Sequence, residues 1–191
     1  MKIKISHKLT DLKWLNMFNI EYIDRNGEDK IWQVVSRKKK PKCVTGNYSK
    51  PDAVVIVAYH TSQEKIVITK EYRVPLADYE YGFPAGLVDA GESVHQAARR
   101  ELAEETGLKL TRFLKVGPTV YSSAGMTDES VSMVYVECEG EPSTARNEGA
   151  EDIEVIFVSA KEASQLCVHD SYKFDAKAWL VLLNFSESGR I

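Results

Sequence analysis

Cysteine is scarce in this chain, at three in 191 residues, and Cys43, Cys138 and Cys167 show none of the close pair spacing that a zinc knuckle or a redox dithiol uses. An odd, sparse set of this kind suits free thiols in a reducing compartment. Cys167 and His169 are near neighbours, but a metal there would need two further ligands. Long apolar runs are also missing. The longest, Trp179-Leu-Val-Leu-Leu183, is far short of the roughly 20 residues that span a bilayer. The first residues carry charge but no apolar signal core, so the expected setting is cytoplasmic, with no membrane partner. Nor is there an excess of one charge. With 25 Lys+Arg against 28 Asp+Glu the net charge is −3, which excludes whole-protein attraction to nucleic acid and leaves any anionic ligand to be held locally. No internal repeat or low-complexity tract interrupts the chain.

What is present is a 43% hydrophobic composition, enough for one sizeable core and a small appended part. The runs Trp14–Ile23 and Lys30–Ser36 flank the turn-rich Asp24-Arg-Asn-Gly-Glu28 and predict a β-hairpin. Arg37-Lys-Lys-Lys-Pro-Lys42 and Gly46–Pro51 then read as a solvated, turn-forming connector, which sets expected bounds of 1–50 for an N-terminal strand subdomain and 51–191 for the main domain. Beyond it, Ala53–His60, Lys65–Tyr72, Phe113–Val120, Ser130–Cys138 and Ile153–Ser159 have strand composition. Helices are expected after Gly91, over Ala160–His169, and over Asp175–Phe185, where Asp175 is an N-cap candidate. A mixed sheet between helices, of the α/β class, follows.

The first of these helices carries the chemistry. Ser93-Val-His-Gln96 matches a capping box, so the helix starts at Val94, and Gly107 is placed to end it. At ~100° per residue, Val94, Ala97, Ala98 and Leu102 form an apolar face, yet Glu101 and Glu105 fall within that stripe, with Glu104 on its flank and Glu92 just ahead. Like charges one turn apart repel, buried carboxylates lose hydration, and acids in a last turn face the negative end of the helix dipole. A divalent cation answers all three objections. A solvated acidic helix end salt-bridged to Arg99 and Arg100 is the plainer alternative, and the helix alone leaves both open.

From Gly86 the chain reads Gly-Leu-Val-Asp-Ala-Gly-Glu92, then seven residues, then Arg100-Glu-Leu-Ala-Glu-Glu-Thr-Gly-Leu108, and this resembles the complete Nudix box. The resemblance implies a Nudix-type α/β/α sandwich with a mixed sheet, preceded by the small N-terminal antiparallel β subdomain. It implies that Glu101, Glu105, Glu104 and the Ala85 carbonyl hold Mg²⁺, or Mn²⁺ in its place, and that Arg100 pairs with Glu92 to orient the helix. Phe83-Pro-Ala-Gly-Leu87, Glu71-Tyr-Arg-Val-Pro75 and Tyr121-Ser-Ser-Ala-Gly-Met-Thr-Asp-Glu129 further resemble the ADP-ribose and ADP-sugar pyrophosphatases, as do Trp14, Trp32 and Arg37.

That subfamily resemblance implies metal-assisted hydrolysis of ADP-ribose or a related ADP-sugar to AMP and a sugar phosphate. In it, Trp14 and Trp32 sandwich the adenine and Arg37 and Arg73 hold phosphate or ribose, while Leu87, Gly125 and Asp128 complete the substrate site. The partners implied are a nucleoside diphosphate sugar and a second copy of the chain, with exchanged N-terminal strands. A loop acid serves as general base, aligned at Glu151 or, with a one-gap shift, at Glu148. Ser123-Ala124-Gly125 departs from a frequent Ser-Pro-Gly and removes a proline's fixed φ. The alternatives are a pyrophosphatase for another nucleotide sugar, such as GDP-mannose, and a non-catalytic nucleotide-sensing module. The sensor is disfavoured because no box acid is lost and no DNA-binding domain is gained.

Overall fold

The computed structural model describes residues 1–191 apart from Glu148 and Ala150. The chain divides into two compact units, Met1–Asp52 with Thr119–Val131, and Ala53–Pro118 with Ser132–Ile191. The first unit holds strands β1 (Lys2–Lys8), β2 (Asn16–Ile23) and β3 (Asp29–Ser36), and the short helix α1 (Lys42–Thr45). The strands form an antiparallel sheet in the order β1-β2-β3. The expected hairpin is β2 with β3, in register from Asn16↔Ser36 to Ile23↔Asp29. Its turn is pinned by Asp24, whose carboxylate accepts from the Asn26 and Glu28 amides at 2.8 and 3.0 Å. Phe18 and Ile20, two apart on β2, point to one face and are buried.

The connector is exposed over residues 37–40 and again over 44–50, but not between them. Pro41 and Lys42 are buried, so the lysine run does not end as the free charged linker its composition suggests. The Lys42 ammonium lies 2.5 Å from Asp52 and 2.6 Å from the Ser130 hydroxyl, and Asp52 also takes Lys38 at 2.8 Å. A buried lysine is tolerable because it is paired and hydrogen-bonded.

The second unit is built on β4 (Ala53–His60), β5 (Lys65–Arg73), β6 (Asp78–Gly82), β7 (Ala85–Leu87), α2 (Val94–Thr106), β8 (Lys109–Tyr121), β9 (Ser130–Glu139), β10 (Ile153–Val158), α3 (Ala160–Cys167), β11 (Lys173–Phe174) and α4 (Ala176–Ser188), with the ends of β8 and β9 running into the first unit. Its eight-stranded sheet runs β11-β6-β5-β4-β9-β8, with β10 added on β5 and β7 on β4. The sheet is mixed, since β11 runs parallel to β6 and β5 runs antiparallel to β4, β6 and β10.

Alternation along β4 explains the layering. Val54, Ile56 and Ala58 face Ala97, Ala98 and Leu102 of α2 in the core, while Tyr59, on the other parity, meets Phe185 of α4 edge-on at 6.4 Å. Helices therefore cover both faces of β4, and its side chains from Val54 to Ala58 are all buried. The strands β4 and β5 pair only from Ala58↔Val67 to His60↔Lys65 and then part. Beyond that point β4 takes β7 and β5 takes β6 as neighbour. The Phe83-Pro84 link joins these two inserted strands, and the Pro84 carbonyl accepts from the Ile56 amide at 2.8 Å. This splay brings Ala85 and Gly86 under α2. Among the described residues no helix is long and apolar enough to cross a membrane.

Candidate active site

The helix α2 begins and ends where its sequence signals lie. The Ser93 hydroxyl accepts from the Gln96 amide at 3.3 Å, the Gln96 side chain accepts from the Ser93 amide at 2.9 Å, and Gly107 closes the helix at φ +72°. Ala97, Ala98 and Leu102 are buried, which fixes the rotation of the helix and carries Glu101 and Glu105 inward with them.

Glu105 is 9% exposed and accepts from the Ala85 amide at 3.1 Å. Burial, with the charges of Glu101, Glu71 and Glu151 adding to it, pushes its pKa up to about 8 despite that hydrogen bond. Burial likewise raises Glu101. The Glu101 carboxylate lies directly against Gly86, where a Cβ would overlap it and push the carboxylate aside, so glycine at this position leaves room for Glu101 as placed.

Arg100 binds the acids together. Its Nε and Nη2 donate to Glu92 at 3.1 and 2.9 Å, its Nη1 to Glu101 at 2.7 Å and Glu104 at 3.1 Å, and its Nη2 again to the Leu87 carbonyl at 2.9 Å. Every donor of the guanidinium is used, an arrangement lysine cannot reproduce. The Arg100 hydrogen bonds hold Glu92 below the usual carboxylate range, so the loop Leu87–Glu92 is locked to the helix.

Two further acids stand at this site. Glu71, on β5, is only 18% exposed at its side chain, and burial raises its pKa. It accepts from Arg73 Nη1 at 2.7 Å, while Arg73 Nε lies 3.4 Å from Glu80. Sequence reasoning used this motif for its arginine and passed over Glu71, although period two from the buried Val67 and Thr69 puts it on the inward face. Glu151 lies just before β10, and its charge acts on both Glu71 and Glu105. Glu148 lies outside the described residues.

Oxygen donors from carboxylates and a backbone carbonyl suit a hard divalent cation. Among the described residues no group of three or more His, Cys, Asp or Glu side chains is placed to hold a metal ion by itself. Fit to a cation therefore rests on the raised acids and on the close approach at Gly86, with substrate oxygens and water completing the shell. A cation that keeps several waters and takes one or two carboxylates, as Mg²⁺ does, fits such an open donor set.

The first unit assembles a different group. Trp32 is half exposed and its indole N–H donates to the Gly125 carbonyl at 3.2 Å. Asp128 accepts from the Ser36 hydroxyl at 3.0 Å and the Lys42 amide at 2.7 Å, and Arg37 Nε lies 3.3 Å from Glu129. Trp32, Ile20, Tyr22, Tyr48, Tyr121 and Asp128 are among the walls of a cavity of about 360 Å³. Trp14 is 70% exposed, with the Lys13 ammonium 4.2 Å over its ring, and is not among the walls of that cavity.

Comparison with known proteins follows the same lines. A Saccharomyces cerevisiae ADP-ribose pyrophosphatase is 30% identical over 177 residues, 88% of this chain and 75% of the relative. A Mus musculus ADP-sugar pyrophosphatase is 29% identical over 136 residues, 70% of this chain and 59% of the relative, so the chain spans about three-fifths of that protein's length. The crystal structure of an ADP compounds hydrolase has the same fold, with a TM-score of 0.71 at 18% identity over 100% of this chain and 96% of that one. The NUDIX domain model matches residues 49–180, and with the Gly86–Leu108 box folded as loop, helix and loop this chain belongs to the Nudix hydrolase family.

Proposed function

We propose that this protein hydrolyses the pyrophosphate bond of ADP-ribose or a related ADP-sugar, giving AMP and a sugar phosphate. The observation that carries the reading is the surplus of negative charge around Glu105, where Glu101, Glu71 and Glu151 all raise the cost of ionisation. A site of this kind is poor as plain structure and would suit a cation that neutralises diphosphate charge. The substrate class is supported by the yeast and mouse relatives, whose names specify ADP-ribose and ADP-sugars.

Nudix hydrolases generally need a divalent metal, and Mg²⁺ is the ion proposed here, held by Glu101, Glu105, Glu104 and the Ala85 carbonyl. Bound there, it would neutralise diphosphate charge and make water a better nucleophile. The protein's own groups do the rest. Arg100, with every donor used, holds the mutually repelling carboxylates in place and orients the loop. Glu151 accepts the proton of the attacking water as general base. Arg73 and Arg37, themselves about half exposed, exchange their acidic partners for phosphate or ribose oxygens, which accept the same charge-assisted hydrogen bonds. Trp32, assisted by Trp14, stacks on adenine, and Leu87, Gly125 and Asp128 line the substrate path.

The 1–50 region is proposed as the adenine-binding and dimerisation part of a homodimer with exchanged N-terminal strands. Leu12, Trp14 and Ile31, each more than 60% exposed, are the surface that such a partner would cover. The deciding experiment incubates the purified protein and Mg²⁺ with ADP-ribose, ADP-glucose, GDP-mannose, NADH and dinucleoside polyphosphates and identifies the products. AMP and ribose phosphate from ADP-ribose are expected. Preference for GDP-mannose would replace the substrate, and no turnover of any would favour a nucleotide sensor.

A further inference from the structure

The register of three strands bears on which of Glu151 and Asp152, the two acids just ahead of β10, faces the site. β10 pairs with β5 so that Ile153 lies opposite Glu71, and β5 pairs with β6 so that Glu71 lies opposite Glu80 and Tyr72 opposite Tyr79. Ile153, Glu71 and Glu80 thus form one row across the sheet. The next row is Asp152, Tyr72 and Tyr79, whose side chains point to the opposite face because successive residues of a strand alternate.

In that second row Asp152 is held twice. Its carbonyl accepts from the Tyr72 amide at 3.1 Å, and its carboxylate accepts from the Tyr79 hydroxyl at 2.5 Å. The Tyr79 ring is itself fixed, edge-on to Tyr72 at 5.5 Å and with the Lys70 ammonium 4.9 Å from its centroid. One residue further back, alternation returns Glu151 to the face of Glu71 and Arg73. The influence of the Glu151 charge on Glu71 and Glu105 agrees with that placement. A slip of one residue would turn Glu151 away and bring the shorter Asp152 to the acids in its place.

We infer that Tyr79 is a positioning residue: its hydroxyl tethers Asp152 to the outer face of the sheet and so presents Glu151 to the acid site. This rests on the reading of Glu151 as general base. The tether explains why an acid on a loop can be placed well enough to act, since a displacement of about 1 Å can cost ~10²-fold in rate.

The test compares Tyr79→Phe, Asp152→Ala, Asp152→Asn and Glu151→Gln, each assayed with ADP-ribose and Mg²⁺ and each followed by amide hydrogen exchange. Tyr79→Phe, which removes one oxygen from a partly exposed ring, is expected to lower kcat roughly tenfold, a part of the ~10²–10⁴-fold that a general base contributes, with KM unchanged. Asp152→Ala is expected to match it, and Asp152→Asn, which keeps an acceptor for the hydroxyl, to recover most of the rate. In the Glu151→Gln background Tyr79→Phe is expected to cost nothing more. Exchange at the Tyr72 amide is expected to quicken in Tyr79→Phe. Unchanged exchange there, or a full additional loss of rate in the Glu151→Gln background, overturns the tether. Normal kcat in Glu151→Gln alone overturns the base assignment instead, and the exchange data then judge the tether by itself.

Discussion

In the first unit Lys42 is 4% exposed and its ammonium sits between Asp52 and Ser130, with Lys38 on the other oxygen of Asp52, whereas in the second unit Glu105 is 9% exposed and feels mainly the charges of other acids. Burial pushes both carboxylates toward the neutral form. For Asp52 the bonds from Lys38, Lys42 and the Ser130 amide outweigh it, and the group stays below the usual carboxylate range. For Glu105 nothing outweighs it, and its pKa rises to about 8. A buried charge with its partner present is a structural device, and a buried carboxylate left among other acids is where the proposed cation would supply the missing partner.

The largest effect that sharpens this contrast is expected from Glu105→Gln. Its amide oxygen can still accept from Ala85, but a metal-binding charge is gone, so kcat in Mg²⁺ should fall by on the order of 10³-fold, equivalent to several kcal/mol. Stability should move the other way. In the metal-free protein the folded state holds the Glu105 proton more tightly than the unfolded chain, whose group titrates near 4.5. Below that pH both states are protonated and nothing is lost. As pH rises from about 4.5 to about 8 the unfolded chain ionises first, and the folded protein loses of order a few kcal/mol. Urea denaturation across this window should therefore slope downward for wild type and lie flatter for Glu105→Gln. A near-normal kcat would remove Glu105 from the metal site, and parallel pH curves would remove the electrostatic account.

Lys42→Met is the reciprocal experiment. It leaves Asp52 buried with only Lys38 as cationic partner, and breaking such a pair costs about 3 kcal/mol or more. Adding Asp52→Asn removes the uncompensated charge while keeping an acceptor for the Ser130 amide, so the double variant should regain roughly half of that loss. Denaturation midpoints read both values. If Lys42→Met is as stable as wild type, the paired cluster is not structural and the comparison fails from this side.

The helix α2 was legible because everything that defines it is local: a capping box at Ser93, a glycine at its C′ position, and apolar residues at helical spacing that made the two misplaced glutamates visible. Long-range facts were less so. Lys42 sits in a run of lysines, and only Asp52 and Ser130, the latter 88 residues away, distinguish it from its solvated neighbours. Strand β6 reads Asp-Tyr-Glu-Tyr-Gly and β7 is three residues long, so neither shows an aliphatic face, yet β7 carries the backbone against which Glu101 and Glu105 lie. That Glu151 rather than Asp152 shares the face of Glu71 could not be read from spacing, because strand register depends on pairing between β5 and β10, more than eighty residues apart in sequence.

The smallest expected effect concerns Trp32 and separates ligand binding from packing in the first unit. Its side chain is half exposed, so its removal uncovers little core, and its one polar tie is the 3.2 Å bond to the Gly125 carbonyl. Stacking on a base contributes about 1–3 kcal/mol, which places the rise in KM for ADP-ribose at roughly tenfold or more for Trp32→Ala, with kcat little changed. Melting temperature should stay within a few degrees, as expected for a site outside the core. Trp32→Phe divides the contribution further, because it keeps an aromatic face and loses the indole N–H. A KM close to wild type in Trp32→Phe would assign the effect to stacking. A KM as high as that of Trp32→Ala would assign it instead to the Gly125 loop, which then needs the indole hydrogen bond to hold its shape. An alanine variant that melts early while its folded fraction binds ADP-ribose normally would make Trp32 a packing residue, and the cavity beside it would lose its claim to the adenine.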